Sequence, residues 1–127
     1  MKTPEELKYS KTHEWVRFIS ETEAEVGLTD YAQNALGDLV FCNLPEVDAQ
    51  AEKEQTICDV ESVKAVSDVY SPVNGTVTEV NEELLDAPEK INEDPYGAWL
   101  FRLSDVSGAE DLMDAAAYEK FCEEEAE

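Results

Sequence analysis

Lys64 is the only basic residue between Glu54 and Glu89, and it lies within the run ICDVESVKAVSDVYSPVNGTVTEV. An amine this isolated is a candidate for covalent chemistry, either as a nucleophile or as a site that another enzyme acylates. A free lysine amine has a pKa of about 10.4 and is mostly protonated at neutrality, so it attacks poorly unless an apolar pocket desolvates it. No such pocket is evident at an exposed turn. Acylation by a separate enzyme needs only an accessible tip of recognisable shape. Spacing alone favours a plainer reading, a solubilising lysine on a turn.

Other reactive side chains are sparse. Cys42, Cys58 and Cys122 are odd in number and far apart, with no CxxC, and the single His13 leaves no zinc set. Reduced thiols in a cytosol-like compartment are expected, with Cys42 and Cys58 as small core residues and Cys122 on a half-exposed helix position. His13 beside Trp15 is expected to be packed or hydrogen-bonded, with no catalytic role. The chain carries no GxGxxG, phosphate-cradling loop, nucleophile elbow or HExxH. That favours a carrier or adaptor over an enzyme.

The elements that must position Lys64 are β-rich. The apolar parity set by Cys58 and Val60 breaks across Glu61, Ser62 and Val63, and β-branched residues resume at Val66, so a hairpin turn is expected around the lysine. Upstream, HEWVRF alternates around Trp15 and should pair, across a turn near Ser20–Glu23, with a strand at Ala24–Leu28. Thr29 or Asp30 can cap a short helix through Leu36, ended by Gly37, and LVFCNL reads as a strand closed by Pro45. Downstream, a strand from Val66 should stop at Pro72, and Asn74-Gly75 reads as a tight turn into Thr76–Val80. AWLFRL is expected to be the last strand, with Trp99, Phe101 and Leu103 on one face. Ser107 with Glu110 reads as a capping box, and Asp114 as the cap of a second helix carrying Tyr118, Phe121 and Cys122 on one side. The terminal EEEAE should fray. About seven short antiparallel strands imply a small flattened barrel or sandwich with two short C-terminal helices.

The chain has 127 residues, 43% of them apolar, enough for one core-bearing domain over 1–127, expected to comprise a core at about 7–121 and an acidic tail at 122–127. Thirty-one acidic against nine basic residues give a formal net charge of −22. Such a field repels nucleic acid and anionic membranes, and suits either docking on basic enzyme surfaces or plain solubility. MKTPEELKYS lacks a signal-peptide core and is too acidic for a transit peptide. A cytoplasmic monomer beginning at its own Met1 is expected.

KYSKTHEWV, VGLTDYAQNALGDLVF, LPEV, VESVKAVSDVYSPVNG and INEDPYG occur in an order and spacing that resemble the H protein family of the glycine cleavage system, from about Leu7 to Phe121. The resemblance implies a mainly β lipoyl/biotinyl-domain-like fold, a barrel-sandwich hybrid, and a non-catalytic carrier. It implies lipoic acid in amide linkage on Lys64, attached by a lipoate ligase or a lipoyl or octanoyl transferase. The arm would accept the aminomethyl group from glycine decarboxylase (P protein), present it to the folate-dependent aminomethyltransferase (T protein) and be reoxidised by dihydrolipoamide dehydrogenase (L protein). Thr12, Glu14 and Asp68 match the side of the family pattern that forms a cleft for the arm, where a carboxylate can pair with the amine of the cargo; ordinary surface acids are the alternative for Glu14 and Asp68. Glu61 and Ser62 flank the lysine and serve either recognition by the modifying enzyme or the turn itself. Asp48 and Glu54 depart from the pattern, standing where glycines are common, and Gly97-Ala98-Trp99 is one residue tighter than usual.

Neighbouring families fit less well. Biotin domains centre on Met-Lys-Met and the lipoyl domains of 2-oxoacid dehydrogenases on Asp-Lys-Ala, against Val63-Lys64-Ala65 here. A lipoyl donor relaying the cofactor to other carriers, and an unmodified acidic interaction module, remain open alternatives.

Overall fold

Alternating apolar residues and frequent turn formers build nine strands and four helices among the described residues, 3–126, of this computed structural model. In chain order they are β1 (Lys8–Tyr9), β2 (Glu14–Phe18), β3 (Ala24–Leu28), α1 (Asp30–Leu36), β4 (Leu39–Asn43), β5 (Gln50–Ala51), β6 (Thr56–Ser62), β7 (Val66–Tyr70), β8 (Asn74–Val80), α2 (Glu83–Asp86), α3 (Lys90–Glu93), β9 (Phe101–Ser107) and α4 (Ala115–Ala126). The strands form two antiparallel sheets, one ordered β1-β2-β3-β9-β8-β5 and the other β4-β6-β7. This is the sandwich side of the expectation, not a closed barrel. The core lies between the sheets, where Val26, Val60, Val69, Val77, Phe101 and Leu103 are all but fully buried, each worth about 1.5–3 kcal/mol.

Several turns differ from expectation. Asn74-Gly75 is not a hairpin turn: β7 and β8 belong to different sheets, and the chain crosses between them through the buried Ser71-Pro72-Val73. Gly75 lies inside β8, opposite Ala51, where a Cβ would sit 2.9 Å from the Ser104 carbonyl oxygen. The glycine permits close backbone approach. Ser107 caps no helix, because β9 runs through it, so α4 is the one C-terminal helix. Asp114 does cap α4, accepting from the Ala117 amide at 2.8 Å. Trp99 precedes β9 and is half-buried under the Arg102 guanidinium, 4.1 Å from its ring, while Ala98 and Leu100 take the buried places. Gly97 sits where a Cβ would meet the Asp94 carboxylate at 2.3 Å.

α4 covers a second apolar cluster containing Leu7, Tyr9, Trp15, Tyr96, Tyr118 and Cys122. Tyr9 and Tyr118 stack at 4.6 Å, and Tyr9 exchanges backbone hydrogen bonds with Met113. Cys122 is therefore buried, not half-exposed. The expected acidic tail is helical from Cys122 through Ala126; fraying of Glu127, like the expectation at Met1, lies outside the described residues. Both departures from the glycine pattern carry left-handed backbone, φ 77° at Asp48 and 68° at Glu54, and their amides donate to the carbonyls of Val77 and Ser71, each at 2.7 Å.

Candidate functional site

The lysine turn is built by Ser62. Its amide donates to the Ala65 carbonyl at 2.8 Å, and its hydroxyl oxygen accepts from the amides of Lys64 and Ala65, both at 3.1 Å. A serine thus closes the tip from within. Lys64 and its neighbours Val63, Ala65 and Val66 are exposed. Glu61 lies one step back on β6 and accepts from Asn43 of β4 at 3.2 Å.

A second contact pins the tip to the turn between α1 and β4. The Val63 amide donates to the Asp38 carbonyl at 3.0 Å. The Lys64 stem lies across Gly37, where a Cβ would stand 3.1 Å from Cε and 3.6 Å from Nζ. Gly37 adopts φ 82°, ends α1 by donating to the Gln33 carbonyl, and accepts from the Asn92 side chain at 2.9 Å. The missing side chain both frees the left-handed turn and clears the lysine's path.

Next to this tip opens a cleft of about 180 Å³. Tyr31, Ala32, Ala35 and Leu36 of α1 form one wall, Val60 and Ser67–Val69 another, and Thr12–Glu14 with Leu28 the floor. Thr12, Glu14 and Asp68 therefore meet around one cavity, whereas Glu61 and Ser62 belong to the tip. Asp68 is exposed at the rim.

Glu14 is not a surface acid, being 1% exposed. The Ser10 hydroxyl donates to its Oε1 at 2.7 Å and Thr12 donates to the same oxygen in a very short hydrogen bond. No cation pairs with it among the described residues. Burial is the dominant influence and pushes its pKa up to about 7, while hydrogen bonds from Thr12, Ser10 and the Tyr70 backbone pull the other way. The cleft thus holds a carboxyl that a cationic ligand would ionise. Ser10 was not foreseen; its spacing with Thr12 and Glu14 carries the signal.

His13 stands between the cleft and α4. It adopts φ 71°, stacks on Tyr31 at 4.5 Å, and hydrogen-bonds through Nδ1 to the Tyr118 hydroxyl at 2.7 Å. That hydroxyl also lies 2.7 Å from Thr29 Oγ1. His13 Nε2 is 2.8 Å from a Glu125 carboxylate oxygen, off the line of a hydrogen bond. The ring packs α4 against the cleft floor, in keeping with a packed, hydrogen-bonded histidine. Cys42 and Cys58 are buried, and burial raises both thiols, Cys42 to about 12. Neither is poised for thiolate chemistry.

No helix is long and apolar enough to cross a membrane among the described residues. The glycine cleavage H-protein family model matches residues 7–125. The glycine cleavage system H protein of Lachnoclostridium phytofermentans is 57% identical over 127 residues, covering 100% of both chains. The probable glycine cleavage system H protein of Pyrococcus furiosus is 54% identical, across 94% of this chain and 92% of its own. A crystal structure of a glycine cleavage system H protein from Mycobacterium marinum superposes with a TM-score of 0.84 at 34% identity, covering 98% of this chain and 99% of that one. With the exposed hairpin lysine, the adjoining cleft and these likenesses agreeing, the chain belongs to the glycine cleavage H-protein family, whose members are lipoyl carriers and not catalysts.

Proposed function

We propose that Lys64 is the lipoyl attachment site and that the cleft beside it shelters the loaded arm. The observation that carries this reading is an exposed amine lying over Gly37, the residue that follows Leu36 in the wall of a cavity also lined by the buried Glu14. Lipoic acid, when bound, supplies a dithiolane that accepts the aminomethyl group left by glycine decarboxylation, yields it to tetrahydrofolate and is reoxidised.

The chain's own residues hold and protect that arm. Ser62 keeps the tip turn closed so that Lys64 projects, and the amide on Nζ removes the only positive charge on the hairpin. Ala32, Ala35, Leu36 and Val69 offer apolar walls that exclude water from the arm. Glu14 gives up its proton and pairs with an amine carried into the cleft, and Thr12 orients the carboxylate by donating to Oε1. Asp68 at the rim adds a second negative charge along the amine's route.

In this reading the chain is a single carrier domain, monomeric and cytoplasmic. Its partners are glycine decarboxylase, the aminomethyltransferase, dihydrolipoamide dehydrogenase and a lipoate ligase or transferase. The formal charge of −22 raises its encounter rate with basic docking sites. Intact-mass measurement after incubation with lipoate ligase, lipoate and ATP tests the assignment. A lipoyl-sized increment is expected in the wild type and none in Lys64→Ala; an increment that survives the substitution overturns it.

A further inference from the structure

β4 begins Leu39-Val40-Phe41-Cys42, four consecutive apolar residues that one flat strand cannot turn to a single face. A register irregularity between Leu39 and Phe41 sends Leu39 and Cys42 inward and leaves Val40 and Phe41 both outside. Phe41 is 60% exposed, so most of the burial its ring offers is forgone.

Its surroundings give that exposure a direction. Phe41 pairs with Glu61, which pairs with Val66, and residues directly paired share one face. Val63 and Val66, 67% and 64% exposed, bracket Lys64. Of the eight large apolar side chains exposed on the described residues, Val40, Phe41, Val63 and Val66 gather at the lysine hairpin.

The same face is acidic. Asp59 lies directly opposite Asp68, a like-charge pairing that costs stability unless a cation relieves it. Neither they nor Asp38 or Glu61 are in an ion pair among the described residues.

We propose that the outer face of β4, β6 and β7, centred on Phe41, is the docking surface for the enzyme that acylates Lys64, through an apolar pocket for the ring rimmed by lysine or arginine. Proximity selects this partner. Enzymes that work on the dithiolane meet the far end of an extended arm, whereas the acylating enzyme must bring a carboxyl carbon to bonding distance of Nζ. There the deprotonated amine attacks, a C–N bond forms, and the bond from that carbon to its activating phosphate or sulfur breaks. The electron pair leaves with the activating group and the amine proton passes to solvent. A protein surface close enough for that step overlaps Val63 and Val66, and Phe41 one strand away anchors it.

This inference rests on attachment at Lys64, and the experiment separates the two. Initial rates of acylation by lipoate ligase, with lipoate and ATP, are measured against apoprotein concentration for wild type, Phe41→Ala, Phe41→Leu and, as a control outside the β4, β6 and β7 strands, Val47→Ser in the exposed turn after β4. KM for Phe41→Ala is expected to rise on the order of tenfold with kcat within about twofold. Phe41→Leu should recover much of the loss, and Val47→Ser should match wild type. Wild-type KM should also rise with salt as the acidic rim is screened. Each variant, driven to full acylation, should be reduced by dihydrolipoamide dehydrogenase, with NADH as the two-electron donor, at the wild-type rate.

An unchanged KM for Phe41→Ala overturns the docking surface while leaving attachment intact. An equal loss with the dehydrogenase overturns the assignment to the acylating enzyme. Absence of acylation in the wild type would instead remove the attachment reading itself.

Discussion

Glu14→Gln isolates the energetic consequence of burying a carboxyl under the cleft. In the folded protein burial holds the Glu14 proton up to about pH 7, whereas its ordinary value is 4.5. A raised folded pKa on an acid means that the native state binds the proton more tightly. The associated stability is therefore fully present below the unfolded value, near pH 4.5, and is lost as pH rises through about 7. At about 1.4 kcal/mol per pH unit, the gap is worth about 3 kcal/mol. The remaining carboxylates repel one another increasingly over the same range, so wild type alone would confound the effect. Urea denaturation of wild type and Glu14→Gln at steps from pH 4.5 to 8 removes that background by difference. The variant should gain about 3 kcal/mol relative to wild type across the range, equivalent to a melting-temperature difference on the order of 10 °C for a chain of this size. A difference that stays flat with pH would mean that Glu14 titrates alike in the folded and unfolded chain, as a solvated carboxyl does, which would refute the buried neutral carboxyl.

Further outcomes follow from the backbone and the core. Asp48→Gly and Glu54→Gly should each stabilise the chain by about 0.5–1 kcal/mol in chemical denaturation, because both residues hold positive φ; no gain at either would place the strain elsewhere. Gly27→Ala should destabilise by about 2–3 kcal/mol and shift tryptophan fluorescence, since the new Cβ would lie 2.5 Å from the Trp15 indole. The three buried thiols should react with a disulfide reagent at pH 8 only as fast as the protein unfolds; rapid native-state labelling would contradict their burial. Ser62→Ala should slow acylation of Lys64 while Lys64 itself is retained, because the hydroxyl that accepts from the two tip amides is gone.

Local signals were legible where a residue acts through its immediate neighbours. The isolation of Lys64 and the parity break before it specify an exposed hairpin tip, and the cap of α1 was legible as Thr29 or Asp30, of which Thr29 accepts from the Ala32 amide. Alternation likewise marks β2, β3 and β6. The family pattern pointed to Thr12, Glu14 and Asp68, although nothing in residue type distinguishes a buried glutamate from the many acids of this chain.

What folding alone decided depends on residues far apart in sequence. Asn74-Gly75 has the composition of a turn, yet Gly75 is required by Ser104 and Leu103 across the sheet, so no window around it carries that information. Cys122 is buried because α4 lies on β1, and the outward turn of Phe41 comes from its register against β6. Glu14 differs from the surface acids by desolvation, a property of everything packed around it. The sequence by itself determined the lysine's exposure, because a turn is a short-range object; the cavity beside it and the charge state within it arise only when β2, α1 and β7 are brought together.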